Sequence, residues 1–354
     1  MPIQRFTARN FRCLEEIELN AGPQYNLIYG ANASGKTSLL EALAYLGRGK
    51  SFRGAPTSSL IRHGEQEFVL FGEVENGPRY SRVGVRNGRD GLEVKVDGDK
   101  DGGAAALAAA LPLQLIDPEV HNLVSGGPEQ RRRFLDWIAF HVEHDYLDTW
   151  RRFRRALKQR NAALRAGARE NVIRSWNAEF LELSSRVDAA RRMALEVAED
   201  CLLERGQALL QHDVGFEYQP GWPRDKSLVE ALESGLERDR QLGSTQAGPH
   251  RCDLKLNCDE RRAKRLVSRG QQKLLACSMI LGAAETAQAA LERPLLLLLD
   301  DPAAELDNDS LARLMEQVVG LGAQVIATSL TSEALEFPSP PTMFHVEHGH
   351  VEQL

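Results

Sequence analysis

Eight consecutive residues, Gly30-Ala31-Asn32-Ala33-Ser34-Gly35-Lys36-Thr37, carry the chemistry from which the chain can be read. They fit the pattern G-x-x-x-x-G-K-[ST]. Gly30 and Gly35 let a loop turn its backbone N–H groups inward around phosphate oxygens, and a helix opening after them aims its positive dipole end at the same point. Lys36 adds a mobile positive charge for the outer phosphates, and the Thr37 hydroxyl suits Mg²⁺. Far along the chain stand two adjacent carboxylates, Asp300 and Asp301. Asp300 is suited to hold that Mg²⁺, and Asp301 to orient or polarise an attacking water. A third string, Ser268-Arg269-Gly270-Gln271, reads as a helix start with Ser268 and Gln271 at capping-box spacing, and Gly270 leaves its amide open to a second anion.

These groups need elements to hold them. Tyr25–Tyr29 has the apolar texture of a strand, and residues 37–46 place Leu39, Leu40, Leu43 and Leu46 on one helical face, with Gly47 as the stop. Residues 295–299 are five leucines running into Asp300, which suits a parallel strand buried on both faces. Residues 324–328 repeat that texture after a helix over 310–319. Parallel strands joined by helices form an α/β sheet that binds ligands at its carboxyl ends, where the phosphate loop and the Asp pair both fall. Residues 3–29 read as strands with Phe11 and Leu14 in the core. Three antiparallel strands are expected within 68–97, with turn signals at Asn76-Gly77, Asn87-Gly88 and Asp97-Gly98. Residues 104–111 predict a short helix ended by Pro112, and 215–225 reads as a looser region.

From about 134 to 212 the chain is long-helical, charged and poor in Gly and Pro. Trp176, Phe180, Leu183, Val187, Ala190, Ala194, Val197 and Cys201 recur at heptad steps, facing a stripe of Leu147, Trp150, Phe153, Leu157 and Leu164. Gly167 marks the bend. An antiparallel helical hairpin inserted as an arm fits this pattern, as do two helices packed on a globular core. The expected division is 1–133 and 241–354 as the two parts of one head, with 134–240 as the arm.

With 27% charged and 42% hydrophobic residues, the composition is that of a soluble globular protein long enough for two or three compact units. A net charge of −6 gives no blanket attraction to nucleic acid and leaves room for a local basic face. Five cysteines without C-x-x-C spacing argue against a disulfide framework or a structural zinc site. The absence of a basic, apolar leader and of any long apolar run points to the cytosol. Two phosphate-binding helix starts more than two hundred residues apart suit two copies facing head to tail, each closing over the nucleotide held by the other.

The order of phosphate loop, helical insertion, serine string and Asp pair resembles the SMC-like branch of ABC-type ATPases. More closely the chain resembles the RecF family of bacterial DNA replication and repair proteins. The resemblance rests on Asn10-Phe-Arg12, the phosphate loop with Leu40-Glu41-Ala42, Ser51-Phe-Arg53, the run from Gly127 to Asp136, Gly248-Pro-His-Arg251 with Asp253, Ser268 to Lys273, Leu299-Asp-Asp301 and the run from Phe344 to Gly349. It implies a P-loop ABC-type ATPase head with antiparallel strands in its N-terminal lobe and an inserted helical arm. It also implies an ATP- and Mg²⁺-dependent homodimer that binds single- and double-stranded DNA at gaps, works with RecR and RecO to let RecA load after DNA damage, and hydrolyses ATP weakly. Lys36 and Thr37 then go to nucleotide and Mg²⁺, Asp300 to Mg²⁺, Asp301 to water and Ser268 to the partner copy's γ-phosphate. Gln114 is the candidate for the metal-sensing glutamine. Arg131, Arg132, Arg151, Arg152 and Arg155, in a basic stretch with Arg133, Arg154, Lys158 and Arg160, are the candidates for DNA phosphates. At 6% aromatic residues, backbone contact is expected over base stacking. Departures from the family are Ala33 in place of Gly, Cys252 in place of Asp, Ala304 in place of Ser, and Thr328-Ser329 where transporters place a His. A transporter subunit has no use for the Gly127 to Asp136 run. A long-armed chromosome organiser needs more reach than the roughly 50 Å that such an arm gives at about 1.5 Å per helical residue.

Overall fold

The computed structural model describes residues 2–76, 79–100, 102–259, 261–263, 268–304 and 306–354. Gly77 of the expected Asn76-Gly77 turn and Glu305 after Ala304 lie outside these. In chain order the strands are β1 (Ile3–Phe11), β2 (Leu14–Asn20), β3 (Tyr25–Tyr29), β4 (Glu67–Asn76), β5 (Arg79–Gly88), β6 (Gly91–Val96), β7 (Leu113–Ile116), β8 (Val214–Gln219), β9 (Asp253–Cys258), β10 (Arg261–Arg262), β11 (Leu296–Leu299), β12 (Gln324–Ser329), β13 (Thr342–Glu347) and β14 (His350–Gln353). The chain forms two compact units, one of Met1–Val120 with Glu292–Leu354 and one of His121–Leu291.

In the first unit the apolar strands form a sheet in the order β14-β13-β3-β12-β11-β7. β7, β11, β12, β3 and β13 run parallel, so their carboxyl ends share one edge. A second, antiparallel sheet has the order β2-β1-β4-β5-β6. Gln324, buried in β12, ties the two together: it accepts from the Ile3 N–H and donates to the carbonyls of Ile3 and Gly22, each at 2.8 Å. The expected strands over 68–97 are present. Asn87 is no turn residue, however: it lies inside β5 and its amide donates to the Tyr45 hydroxyl at 2.7 Å.

Helix Lys36–Arg48 packs against both sheets, and one cluster joins its leucines to Phe6, Phe68, Leu298 and Phe344. Burial therefore extends over Ala42, Ala44 and Tyr45, around more of the helix than the single face expected. Gly47 is also not the stop. It sits inside the helix where a Cβ would stand 2.3 Å from Leu113 Cδ2 and 2.9 Å from the Leu111 carbonyl oxygen. The helix ends instead at Gly49, at φ +65, whose N–H bonds the Tyr45 carbonyl.

In the second unit helix Tyr146–Arg165 ends in a Schellman turn, in which Ala168 N–H bonds the Ala163 carbonyl and Gly167 N–H that of Leu164. The chain returns through the 34-residue helix Asn177–Leu210, antiparallel to the first. Arg160 meets Asn177, the Phe153 and Phe180 rings lie 5.8 Å apart, and Arg191 reaches Tyr146. The heptad seam drifts. Phe180, Leu183, Val187 and Ala194 are buried as expected, but the line continues through Ala198 and Leu202 and leaves Val197 half exposed. A straight helix turns every 3.6 residues, so a 3.5-residue register slips off its face after a few turns. The later turns pack on helix Arg269–Leu291, where Gly282 lets Cys201 and Leu202 approach and Arg205 pairs with Glu285 at 2.9 Å. Helix Arg269–Leu291 is long and apolar enough to cross a membrane, and most of it is buried within this unit. The stretch expected to be loose begins with β8, paired antiparallel with β9.

Candidate functional site

The phosphate loop connects β3 to helix Lys36–Arg48 at the carboxyl edge of the parallel sheet. Gly35 is the helix N-cap at φ +117, and Gly30 has no room for a side chain because the Val346 carbonyl oxygen stands 2.3 Å from where its Cβ would lie. The turn between β13 and β14 braces the loop, with Gly349 N–H donating to the Ser34 carbonyl at 2.8 Å. Ala31, Asn32 and Ala33 form the exposed rim. Ala33 adopts the left-handed conformation at φ +62, which glycine would take without strain. Ser34 Oγ is buried and, among the described residues, has no hydrogen-bond partner. The Lys36 ammonium donates to the carbonyls of Gly30 and Ala31 at 2.7 and 2.8 Å. Burial lowers its pKa, and the charges of Asp301 and then Asp300 partly restore it.

Asp300 follows β11 beside the loop. Its Oδ1 accepts from the Thr37 hydroxyl at 3.1 Å and from the Thr328 hydroxyl at 2.9 Å. Burial is the main force raising its pKa, against which those two hydrogen bonds act. Asp301 is left-handed at φ +46, and its N–H donates to Thr328 Oγ1 at 2.9 Å. Lys36, Thr37, Asp300 and Asp301 are thus brought together at the carboxyl ends of the strands, where the reading of a parallel sheet put the loop and the Asp pair. Hydroxyl and carboxylate oxygens are the hard donors that Mg²⁺ prefers, so Thr37 and Asp300 fit that ion.

Three residues near this edge carry signals that sequence reasoning missed. Thr328 had stood out only as a replacement for a histidine; a hydroxyl near the end of an otherwise apolar strand was the available clue. Arg53 lowers the Asp300 pKa by its charge, and Asp117, just after β7, is pushed up to about 6 by burial, with Arg48 opposing and Asp300 adding to the shift. Gln114 does not join the cluster. It lies inside β7 opposite Leu297, two residues before Ile116, and no hydrogen bond links it to Thr37 or Asp300. Ser329 turns its hydroxyl to the Thr331 carbonyl at 2.6 Å.

In the second unit Ser268 and Gln271 form the expected capping box: Gln271 Oε1 accepts from the Ser268 N–H at 2.9 Å, and Ser268 Oγ from the Gln271 N–H at 3.3 Å. Ser268 and Gly270 are exposed, so the helix start is open to a ligand. The basic stretch divides in two. Arg131 is buried, pairing with both oxygens of Asp253 at 2.7 and 3.2 Å, and Arg132 donates to the Cys252 carbonyl. Arg160 is fully buried on Asp239 and Thr245. These guanidiniums tie distant segments together, since their targets lie 122, 120 and 79 residues along the chain for Arg131, Arg132 and Arg160. Arg151, Arg152 and Arg155, by contrast, lie exposed along one helix with no hydrogen bond or ion pair among the described residues; Lys158 and Arg154, which stacks over the Trp150 ring, are exposed beside them. Cys252 Sγ accepts from Arg191, whose charge Asp136 already balances, so the loss of a carboxylate there leaves no cation stranded.

Residues 2–351 match the family described as RecF/RecN/SMC N terminal domain. The DNA replication and repair protein RecF of Stutzerimonas stutzeri (strain A1501) is 38% identical over 365 residues, spanning 100% of this chain and 98% of the relative. The chain belongs to the RecF family. A solved structure of the recombination mediator protein RecF-ATP in the RecFOR pathway superposes with a TM-score of 0.90 at 25% identity, covering 100% of this chain and 97% of that one. An Smc head domain derived from Pyrococcus furiosus shares the fold, with a TM-score of 0.61 at 15% identity over 100% of this chain and 96% of that one. The α/β head with its antiparallel sheet is therefore the ABC-type ATPase head of RecF and SMC proteins. The strings shared with the family turn out to be contact partners. Arg12 and Ser51 both bond the buried Glu41, Arg131 of one run pairs with Asp253 of another, and the turn ending in Gly349 braces the loop.

Proposed function

We infer that the chain is an ATP-dependent DNA-binding protein of replication and recombinational gap repair, a member of the RecFOR pathway that closes as a dimer around ATP. The observation that carries this reading is the meeting of Lys36, Thr37, Asp300 and Asp301 at one sheet edge, 263 residues separating Thr37 from Asp300 in the chain. The phosphate loop binds the nucleotide, with Lys36 leaving its two loop carbonyls for the outer phosphates. Thr37 and Asp300 would hold Mg²⁺, which would supply charge neutralisation there. Asp301 orients water for a slow hydrolysis. Ser268, Gly270 and Gln271 present their helix start to the nucleotide of the partner copy. Arg151, Arg152 and Arg155 take the DNA backbone.

In functional terms residues 1–133 and 241–354 serve as the head and 134–240 as the arm. RecR and RecO join at single-strand gaps so that RecA loads, work that belongs in the bacterial cytoplasm. The test is sedimentation of the purified chain with ATP, with ADP and with neither, on gapped DNA and without it. ATP alone should give the dimer, Lys36→Ala should abolish it by losing nucleotide, and Ser268→Arg should keep nucleotide yet stay monomeric. A Ser268→Arg chain that still dimerises with ATP refutes the reading.

A further inference from the structure

We propose that Thr328 is the positioning residue of the ATP site, one hydroxyl that sets the carboxylate of Asp300 and the backbone of Asp301 together. The inference rests on the nucleotide reading above. β12 lies between β3, which delivers the phosphate loop, and β11, which delivers the Asp pair. Thr328 is one residue from the end of β12 and is fully buried. Its register neighbour Ala327 pairs with Leu299, so Thr328 stands beside Asp300.

The hydroxyl is used twice and in only one sense. It accepts the Asp301 N–H and donates to Asp300 Oδ1, both at 2.9 Å. An amide can only donate and an ionised carboxylate can only accept, so the orientation of the hydroxyl is fixed. Thr37 donates to the same Oδ1, and among the described residues no protein donor reaches Oδ2. Thr37 is also the residue assigned to a ligand. Once its oxygen is so engaged, Thr328 remains as the hold on Oδ1 that keeps Oδ2 pointing outward. The bond to the Asp301 N–H secures a left-handed residue whose conformation few non-glycine residues adopt, and with it the direction in which the second carboxylate leaves the chain. Outer partners of this kind orient the groups that meet a metal, and their loss typically lowers metal affinity about 10- to 100-fold.

The test compares Thr328→Val, Thr328→Ala and Thr328→Ser with the unaltered full chain. Nucleotide affinity is measured in EDTA, and Mn²⁺ binding to the chain with nucleotide is followed by electron paramagnetic resonance. Valine keeps the shape and alanine adds no bulk, and both remove the hydroxyl; serine keeps it. Val and Ala should bind metal-free ATP within about twofold of the unaltered chain and bind Mn²⁺ about 10- to 100-fold more weakly, while Ser should recover most of that affinity. Equal Mn²⁺ affinity in Val, Ala and the unaltered chain overturns the proposal, as does a serine variant as impaired as the valine one. Failure of the unaltered chain itself to bind ATP would remove the nucleotide reading, and the role of Thr328 with it.

Discussion

Replacing Arg131 with alanine separates two roles that a basic stretch in a sequence cannot tell apart. The Arg131 guanidinium is buried. It holds both oxygens of Asp253, and its Nη1 donates to the carbonyls of Leu123, Val124 and Gly126 at 3.3, 3.3 and 3.0 Å. Truncation leaves the carboxylate without its counter-charge and three carbonyls short of a donor. Breaking a buried pair from one side costs about 3–5 kcal/mol. The Asp253 side chain is 30% exposed and still accepts from the Leu254 N–H, so water takes up part of the penalty. A loss of about 2–4 kcal/mol is expected, a large share of the stability of a typical domain. Urea unfolding with linear extrapolation measures it. Under folded conditions, the slope of log affinity for gapped DNA against log salt should stay as in the unaltered chain. Arg151→Ala should do the reverse: stability within about 0.5 kcal/mol, and a salt slope shallower by about 0.7–0.9 for one lost phosphate contact. An Arg131→Ala chain of unchanged stability whose salt slope falls would put that guanidinium on DNA and refute the assignment.

Ala33→Gly should raise stability by about 0.5–1 kcal/mol in thermal unfolding, because relief of a left-handed alanine, about 1–2 kcal/mol, outweighs the extra unfolded-state freedom of glycine, about 0.4–1 kcal/mol. A destabilised variant would show that Ala33 is not held there. Gly47→Ala should cost up to about 2 kcal/mol, since crowding of Leu113 and the Leu111 carbonyl at about 1–3 kcal/mol exceeds the helix-propensity gain of about 1 kcal/mol. A gain in melting temperature would argue against that close approach. His250 is buried neutral, its Nε2 donating to the Thr245 carbonyl, with its pKa pushed down to about 4 by burial. Its unfolded form binds a proton near 6.5, so the folded state is fully favoured above that value and loses stability as pH falls from about 6.5 to about 4, by up to about 3 kcal/mol. Unfolding measured between pH 7 and 4.5 should show this slope, and His250→Gln should flatten it; an unchanged slope would assign the acid sensitivity elsewhere.

The phosphate loop, the Asp pair and the capped serine helix were legible in the sequence because each is written in consecutive residues whose backbone chemistry is local. The parallel strands were legible for a similar reason, since Leu295 to Leu299 and Gln324 to Thr328 can only be buried on both faces. Residues over 68–97 announced their strands by apolar runs set between turn signals. Tertiary packing decided the rest. Gly47 reads as a helix stop until Leu113 is seen against it, and Asn87 reads as a turn until the Tyr45 hydroxyl meets it. Val197 fell off the heptad seam because a straight helix does not keep a seven-residue repeat. Arg131 and Arg151 look equivalent in a sequence because charge is local. Burial and the arrival of Asp253, 122 residues away, are not, and those alone made one a structural tie and left the other facing water. Thr328 makes the same point at the site itself: its role exists only where neighbouring strands bring Asp300 and the Asp301 N–H within reach of its one hydroxyl.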